Sequence, residues 1–189
     1  MISKEKSINV ITLGCSKNVV DSEVLMKQLE LDGWNIYHDS NDESIKNVII
    51  NTCGFIADAK EESIDTILRF TNAKKKGIID HVYVMGCLSQ RYKTDLTNEI
   101  PEVDGIYGVS DMPIILKELQ TKYKASNTVK RHLTTPKHYA YLKISEGCNW
   151  GCSYCAIPLI RGKHVSRSIE SLVDETKILA KHYKPRKTR

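Results

Sequence analysis

The chain has 189 residues and a mass of 21.5 kDa, enough for one ordinary domain and part of a second. Hydrophobic residues make up 41% and charged residues 27%, a balance that favours a folded globular protein and excludes a disordered one. No apolar run approaches the roughly 18 residues of a membrane span, and the first residues lack the pattern of a signal peptide. We therefore expect a cytoplasmic protein that does not bind a membrane.

The formal net charge of +5 comes from the end of the chain. Residues 177–189 hold six basic side chains and no acidic one, so the preceding 176 residues hold 22 basic and 23 acidic side chains. Such a run is typical of a solvated tail. The nearly neutral remainder does not indicate a nucleic-acid-binding surface, which would be basic.

Strand patterns alternate with amphipathic helix patterns from residue 8 to residue 119. The predicted strands cover residues 8–14, 35–39, 47–52, 81–85 and 105–109. The predicted helices begin at Asn18 (with Asp21 completing a capping box), at Asp58, and at Ser110 or Asp111. The face of the second helix that we expect to be buried holds Ile64, Ile67, Leu68 and Thr71. This alternation predicts an α/β fold with a doubly wound, mostly parallel sheet.

Three of the six cysteines each follow directly after a different predicted strand. They are Cys15, Cys53 and Cys87. In open parallel sheets, ligands bind outside the carboxyl ends of the strands, and these ends lie at one edge. A single cysteine in such a place is adequately explained as a small buried hydrophobic residue. Three of them at one edge favour a common site.

A polar segment, residues 123–138, is predicted to link a first domain at residues 1–122 to a second unit at residues 139–189. The sequence YAYLKI from Tyr139 predicts a strand, and Ser168 is expected to cap the last helix. With the loop between them, these elements form the first strand–loop–helix unit of a further α/β domain. A closed β/α barrel needs about 250 residues, so we expect this domain to be truncated.

The loop of the second unit carries Cys148, Cys152 and Cys155 within eight residues. Thiolates are soft ligands that suit iron–sulfur clusters and zinc. A structural zinc site needs four ligands, which His164 or a distant group would have to complete. A 4Fe–4S cluster held by three cysteines instead leaves one iron open to S-adenosylmethionine (SAM). This spacing, with Tyr154 before the last cysteine, resembles that of the radical SAM superfamily.

Five motifs together resemble the methylthiotransferase family of radical SAM enzymes. They are LGCSKNVVDSE (13–23), NTCGFI (51–56), AKEESI (59–64), GCLSQRY (86–92) and KISEGCNWGCSYCAIPLIRG (143–162). The resemblance implies an auxiliary 4Fe–4S cluster on Cys15, Cys53 and Cys87. It implies a radical SAM cluster on the cysteines of the second unit and a SAM contact at Tyr154. It further implies a partial β/α barrel in the second unit and SAM as the source of both the methyl group and the radical.

The first motif is more similar to the branch of the family that modifies an aspartate of small-subunit ribosomal protein S-twelve at its β-carbon. The branch that modifies an adenosine of transfer RNA more often has T-x-GCQMN there. The resemblance also implies an electron donor such as flavodoxin or ferredoxin. The chain would be an incomplete copy of such an enzyme, so two other hypotheses remain open. The chain is then an iron–sulfur module without turnover, or a zinc-binding interaction domain.

The remaining polar residues receive simpler explanations. Asp21 and Glu23 belong to the first motif, but their position near a helix start accounts for them. Arg161 is expected to pair with a carboxylate, either of a substrate or cofactor or on the protein surface. We expect Trp150 to be a packed aromatic residue. The histidines at positions 38, 81 and 132 are expected to be structural.

Overall fold

The computed structural model describes residues 6–42, 44–124 and 129–182. Most of the basic tail and residues 125–128 of the expected linker lie outside these ranges. No helix in the described ranges is long and apolar enough to cross a membrane.

A parallel sheet of five strands forms the centre of the fold, with strand order β2-β1-β3-β4-β5. The strands are β1 (Ser7–Thr12), β2 (Asn35–His38), β3 (Asn47–Thr52), β4 (His81–Gly86) and β5 (Gly105–Ile106). The helices between and after them are α1 (Ser16–Glu30), α2 (Ala57–Lys75), α3 (Cys87–Arg91), α4 (Lys93–Glu99) and α5 (Met112–Glu118). This architecture confirms the predicted α/β class.

Two hydrophobic layers cover the two faces of the sheet, because successive residues of a strand point to opposite faces. On one face, Val10 and Ile49 pack with Leu25 of α1 and Ile115 of α5. On the other face, the alternate strand residues pack against helices α2, α3 and α4. Members of this second layer are Ile11, Val48, Ile50, Ile67, Val84, Leu88 and Leu96. The sheet is therefore doubly wound.

The predicted start of the first helix is wrong. Helix α1 begins at Ser16, and Cys15 occupies the N-cap position. Asn18 lies in the first turn and is buried. Its side-chain amide donates hydrogen bonds to the carbonyl oxygens of Leu13 (2.8 Å) and Thr52 (3.1 Å). Its amide ties the ends of two strands together instead of capping the helix.

The second helix has a narrower buried face than predicted. Ile67 and Thr71 are buried, whereas Ile64 and Leu68 are 38% and 42% exposed. Ile64 and Leu68 line an open groove of about 740 Å³ between α2 and α4, together with Tyr92 and Leu96. Sequence reasoning did not predict α3 and α4, whose short segments carry few apolar residues.

The described part of the second unit, up to residue 182, contains four short or peripheral elements. They are β6 (Ser145–Glu146), α6 (Ile157–Arg161), β7 (Val165–Ser166) and α7 (Ile169–His182). Strands β6 and β7 pair with each other in antiparallel orientation. Ser168 caps α7 as predicted, since its hydroxyl accepts a hydrogen bond from the Ser171 amide at 3.2 Å.

The strand predicted from Tyr139 is not formed. Residues 139–144 have no strand pairing, and two of their carbonyl groups accept hydrogen bonds from arginine side chains. Arg131 donates to the carbonyl oxygen of Tyr141 at 2.6 Å, and Arg167 donates to that of Lys143 at 3.1 Å. The apolar and aromatic pattern of YAYLKI is therefore not sufficient for a strand, and Ile144 is 60% exposed.

Asp104 connects the end of α2 to strand β4. One carboxylate oxygen accepts hydrogen bonds from Lys74 Nζ at 2.6 Å and from the Val82 amide at 2.7 Å. Burial acts to raise the pKa of this carboxyl, but Lys74, the Val82 amide and His81 outweigh it, so the pKa is lowered.

We expect Asp104→Asn to destabilise the protein by about 1 to 2 kcal/mol at pH 7. Because the folded-state pKa is lowered, the carboxylate stabilises the fold above its unfolded pKa of about 3.9. That contribution is lost as the pH falls through the folded-state pKa. Urea unfolding of both proteins should therefore show a gap at pH 7 that narrows below about pH 4. A gap independent of pH would contradict an electrostatic role.

Candidate functional site

Cys15, Cys53 and Cys87 lie at one edge of the sheet, where three neighbouring strands end. Cys15 follows β1, Cys53 follows β3 and Cys87 follows β4, in the spatial order β1-β3-β4. Cys53 and Cys87 are buried, and Cys15 is exposed. The shared edge predicted from the sequence is therefore observed.

Tight backbone packing brings the loops that carry these cysteines together. Gly14 has a φ of +89°, and a Cβ atom there would lie 2.6 Å from Cβ and 2.9 Å from Sγ of Cys53. A Cβ atom on Gly54 would lie 2.6 Å from Cα of Leu88, the residue after Cys87. Glycine at these two positions thus lets the loops after β1, β3 and β4 touch.

A buried network of polar side chains forms hydrogen bonds beside the cysteines at this edge of the sheet. Asn51 donates to the carbonyl oxygen of Asn18 at 3.0 Å and to the Ser22 hydroxyl at 2.9 Å. The Ser63 hydroxyl accepts from the Cys53 amide at 3.0 Å. Because these groups are buried and hydrogen-bonded, they fix the backbone of the cysteine loops.

The second group of cysteines lies on the loop between β6 and α6. Cys152 is exposed, and Cys148 and Cys155 are half-buried. The Cys148 amide donates to the carbonyl oxygen of Gly162 at 3.1 Å, which closes the loop at its base. The Cys155 amide donates to the carbonyl oxygen of Cys152 at 3.1 Å.

Aromatic side chains on this loop point into solvent. Trp150 is 78% exposed and Tyr154 is 88% exposed. The prediction that Trp150 is a packed aromatic residue is therefore wrong. His164, considered above as a fourth zinc ligand, has its Nε2 atom 3.1 Å from the Ser166 hydroxyl.

The chemistry of the donor set fits an iron–sulfur cluster at each place. All six cysteines, each of them in the described ranges, are free thiols, and they fall into two groups of three. Soft thiolates are the ligands such clusters take. Among the described residues, no three Cys, His, Asp or Glu side chains are already arranged to hold a single metal ion.

Arg161 joins the two groups of cysteines. Its side chain is buried, and its Nη2 atom donates to Oδ1 of Asn18 at 2.7 Å and to Sγ of Cys87 at 3.3 Å. Its Nη1 atom donates to Oδ2 of Asp21 at 3.3 Å and to Oε2 of Glu146 at 2.8 Å. The partners that Arg161 has in the structure are thus two partly buried carboxylates of the protein itself.

Two lysines complete this ionic group. Lys143 pairs with Asp21 and, at 3.0 Å, with Glu146. Lys17 pairs with Glu146 at 3.0 Å. The sequence predicted that Asp21 serves the start of the helix, and this prediction is wrong. Asp21 holds the second unit against α1.

Burial and charge act in opposite directions on the pKa values of this group. Burial acts to raise the pKa of Glu146, but Lys143, Arg161 and Lys17 outweigh it and lower the pKa to about 2. Burial raises the pKa of the Cys87 thiol, and the charge of Arg161 offsets only part of this effect. Burial would lower the pKa of Lys143, but Asp21 and Glu146 raise it. The Glu146 carboxyl and the Lys143 ammonium are therefore held in their charged forms.

A second ionic group connects α1 to α7. Glu23 is buried and accepts hydrogen bonds from the amide (2.8 Å) and hydroxyl (3.0 Å) of Thr134. Arg131 lies between Glu23 (3.5 Å) and Glu175 (3.2 Å), and Arg167 also pairs with Glu175. Glu23 therefore joins the expected linker to the sheet domain, and its predicted role at the helix start is wrong.

Comparison with known proteins places this arrangement in a family. The chain is 55% identical to the ribosomal protein uS12 methylthiotransferase RimO of Phocaeicola vulgatus, over 93% of this chain and 41% of that protein. It is 54% identical to the protein of the same name from Porphyromonas gingivalis, over 95% of this chain and 41% of that protein. The chain thus spans about two fifths of the length of these relatives.

A solved structure has the same fold. The radical S-adenosylmethionine methyltransferase TsrM of Kitasatospora setae, solved with tryptophan and a SAM analogue, superposes with a TM-score of 0.58 at 14% identity. The match covers 93% of this chain and 46% of TsrM. At this identity the likeness concerns the fold.

The sequence model described as "Uncharacterized protein family UPF0004" matches residues 7–108, more than half of the chain. These residues comprise the five-stranded sheet and the cysteines at its edge. Together with the RimO relatives, this match confirms the resemblance predicted from the motifs. The chain belongs to the UPF0004 family.

Proposed function

We propose that the chain is part of a radical SAM methylthiotransferase that adds a methylthio group to ribosomal protein uS12. The observation that carries the proposal is the pair of cysteine groups, one at the ends of three neighbouring strands and one on the loop before α6. The names of the most similar relatives support uS12, the S-twelve protein, as the substrate. Residues 1–122 would be the auxiliary-cluster domain, residues 123–138 the linker and residues 139–189 the start of the radical SAM domain.

The residues have separate roles in this proposal. Cys15, Cys53 and Cys87 would hold an auxiliary 4Fe–4S cluster, and the cysteines of the loop before α6 would hold the radical SAM cluster. When bound, such clusters supply the electron that cleaves SAM and hold the sulfur that is transferred. Tyr154, exposed beside the second group, would contact SAM. The proposal places the methylthio group on the β-carbon of an aspartate of uS12. It also includes a flavodoxin or ferredoxin as electron donor and a cytoplasmic location.

Iron binding is the first test. After anaerobic reconstitution with iron and sulfide, we expect about eight irons per chain. Replacing Cys148, Cys152 and Cys155 together by alanine should halve the iron and leave the visible spectrum of the other cluster. Replacing Cys15, Cys53 and Cys87 should remove the complementary half.

Two results would contradict this expectation. If either triple replacement removes all the iron while circular dichroism shows an intact fold, the chain does not have two independent sites. If the protein takes up stoichiometric zinc without visible absorbance, it is a zinc-binding interaction domain.

Gly14 provides a second test, because a Cβ atom there would meet Cys53. We expect Gly14→Ala to lose most of the auxiliary iron and to retain the iron of the second group, measured by metal analysis and absorption. Gly33→Ala is the matched control, since Gly33 has a similar φ of +85° and no atom within 4 Å of its Cβ position. Both substitutions impose a comparable backbone strain, of order 1 to 3 kcal/mol. Equal iron loss in both variants would show that strain, not contact with Cys53, is responsible.

The test of the substrate uses a full-length protein, because the chain spans about two fifths of the length of its relatives. We expect a chimera of residues 1–180 with the remainder of the Phocaeicola vulgatus relative to add one methylthio group to uS12, detected by mass spectrometry with SAM and dithionite. This chain alone should add none. Modification of transfer RNA adenosine in place of uS12 would favour the other branch of the family. Many turnovers by this chain alone would show that it needs no further part.

A further inference from the structure

Arg161 occupies a special position between the two groups of cysteines. It is the last residue of α6, six residues after Cys155, and the next residue, Gly162, accepts the hydrogen bond from the Cys148 amide. Its guanidinium nevertheless reaches the end of β4, where Nη2 contacts Sγ of Cys87 at 3.3 Å. One side chain therefore connects the base of the second loop to a cysteine of the first group.

The guanidinium is fixed on both sides. Asp21 and Glu146 hold Nη1, and Oδ1 of Asn18 accepts from Nη2 at 2.7 Å. Its side chain is 2% exposed, so water does not compete for these contacts. A planar group with several hydrogen bonds in fixed directions is positioned more narrowly than a lysine ammonium would be.

The charges of this ionic group do not cancel. Its members are the cations Lys17, Lys143 and Arg161 and the carboxylates Asp21 and Glu146. One positive charge is left in excess, and the sulfur of Cys87 lies in direct contact with Arg161. A thiolate ligand, and the net negative charge of a cluster held by three thiolates, would balance it.

We propose that Arg161 is a positioning residue of the auxiliary site, which orients Cys87 and places a fixed positive charge beside the cluster. This inference rests on the proposed function, since it assumes a cluster on Cys15, Cys53 and Cys87. Hydrogen bonds to the ligand sulfur and nearby charge are two of the means by which proteins set the reduction potential of such clusters. Reduction by one electron makes the cluster more negative, and a buried cation stabilises that state.

The test is a redox titration of the reconstituted chain, in which dithionite supplies one electron to each cluster. The two clusters are distinguished by the triple alanine variants described above. In Arg161→Met we expect the midpoint potential of the auxiliary cluster to shift to a more negative value, with the potential of the radical SAM cluster unchanged. In Arg161→Lys, which keeps the charge and loses the planar group, we expect a smaller shift in the same direction.

Arg131→Lys is the matched control. Arg131 is as buried as Arg161 and also bridges α1 to the second unit, but its partners are Glu23 and Glu175 and none of its observed contacts is a cysteine. The Arg131→Lys variant should leave the midpoint potentials of both clusters at their wild-type values. If Arg161→Met does not fold, the lysine variant decides alone.

Three outcomes would overturn the inference. The first is a wild-type potential of the auxiliary cluster in both Arg161 variants when both clusters are loaded. The second is an equal shift of both clusters, and the third is the same shift in the Arg131 control. A wild-type chain that binds no cluster at Cys15, Cys53 and Cys87 would refute the proposed function itself, and the inference with it.

Discussion

The polar face of helix α1 is the feature on which the arrangement of the whole chain depends. Its first two turns contribute Lys17, Asn18, Asp21 and Glu23, all of which contact residues beyond 130. Its apolar face, with Leu25 and Leu29, packs on the sheet. One helix thus uses hydrophobic contact on the sheet side and ionic contact on the other. Because buried ions stabilise only when each is paired, the second unit can dock well only in the orientation that pairs them.

The sequence predicted the sheet well for a physical reason. Strands β1, β3 and β4 are buried on both faces, so they appear as short, mostly apolar runs, and their observed limits lie within about two residues of the predicted ones. The place of Cys15, Cys53 and Cys87 followed from this regularity, since parallel strands end at one edge. The start of α1 was missed because Asn18 is a typical capping residue, but its side chain donates hydrogen bonds to carbonyl groups at the ends of two strands.

The second unit was predicted less well because its order comes from distant charges. YAYLKI has the composition of a strand, yet the carbonyl groups of Tyr141 and Lys143 are bound by the side chains of Arg131 and Arg167, and none of its residues belongs to a strand. Pairs such as Asp21 with Lys143 are separated by more than a hundred positions in sequence. Local patterns contain no information on such pairs. The signal that was present, acidic and amide residues crowded into the motif LGCSKNVVDSE, was explained too simply as a helix start.

Two arginines that are buried in the described part of the chain, Arg131 and Arg161, have different roles. Arg131 lies between Glu23 and Glu175, and Arg167 also pairs with Glu175, so the charges of this group cancel. Such a group can specify how two parts of a chain fit, and it has no charge left for a ligand. The group around Arg161 has one cation more than it has carboxylates, and the excess lies against Cys87. At one end of the interface between α1 and the second unit, an arginine therefore only balances carboxylates. At the other end, an arginine adds a positive charge beside the Cys87 sulfur, where an anionic group would bind.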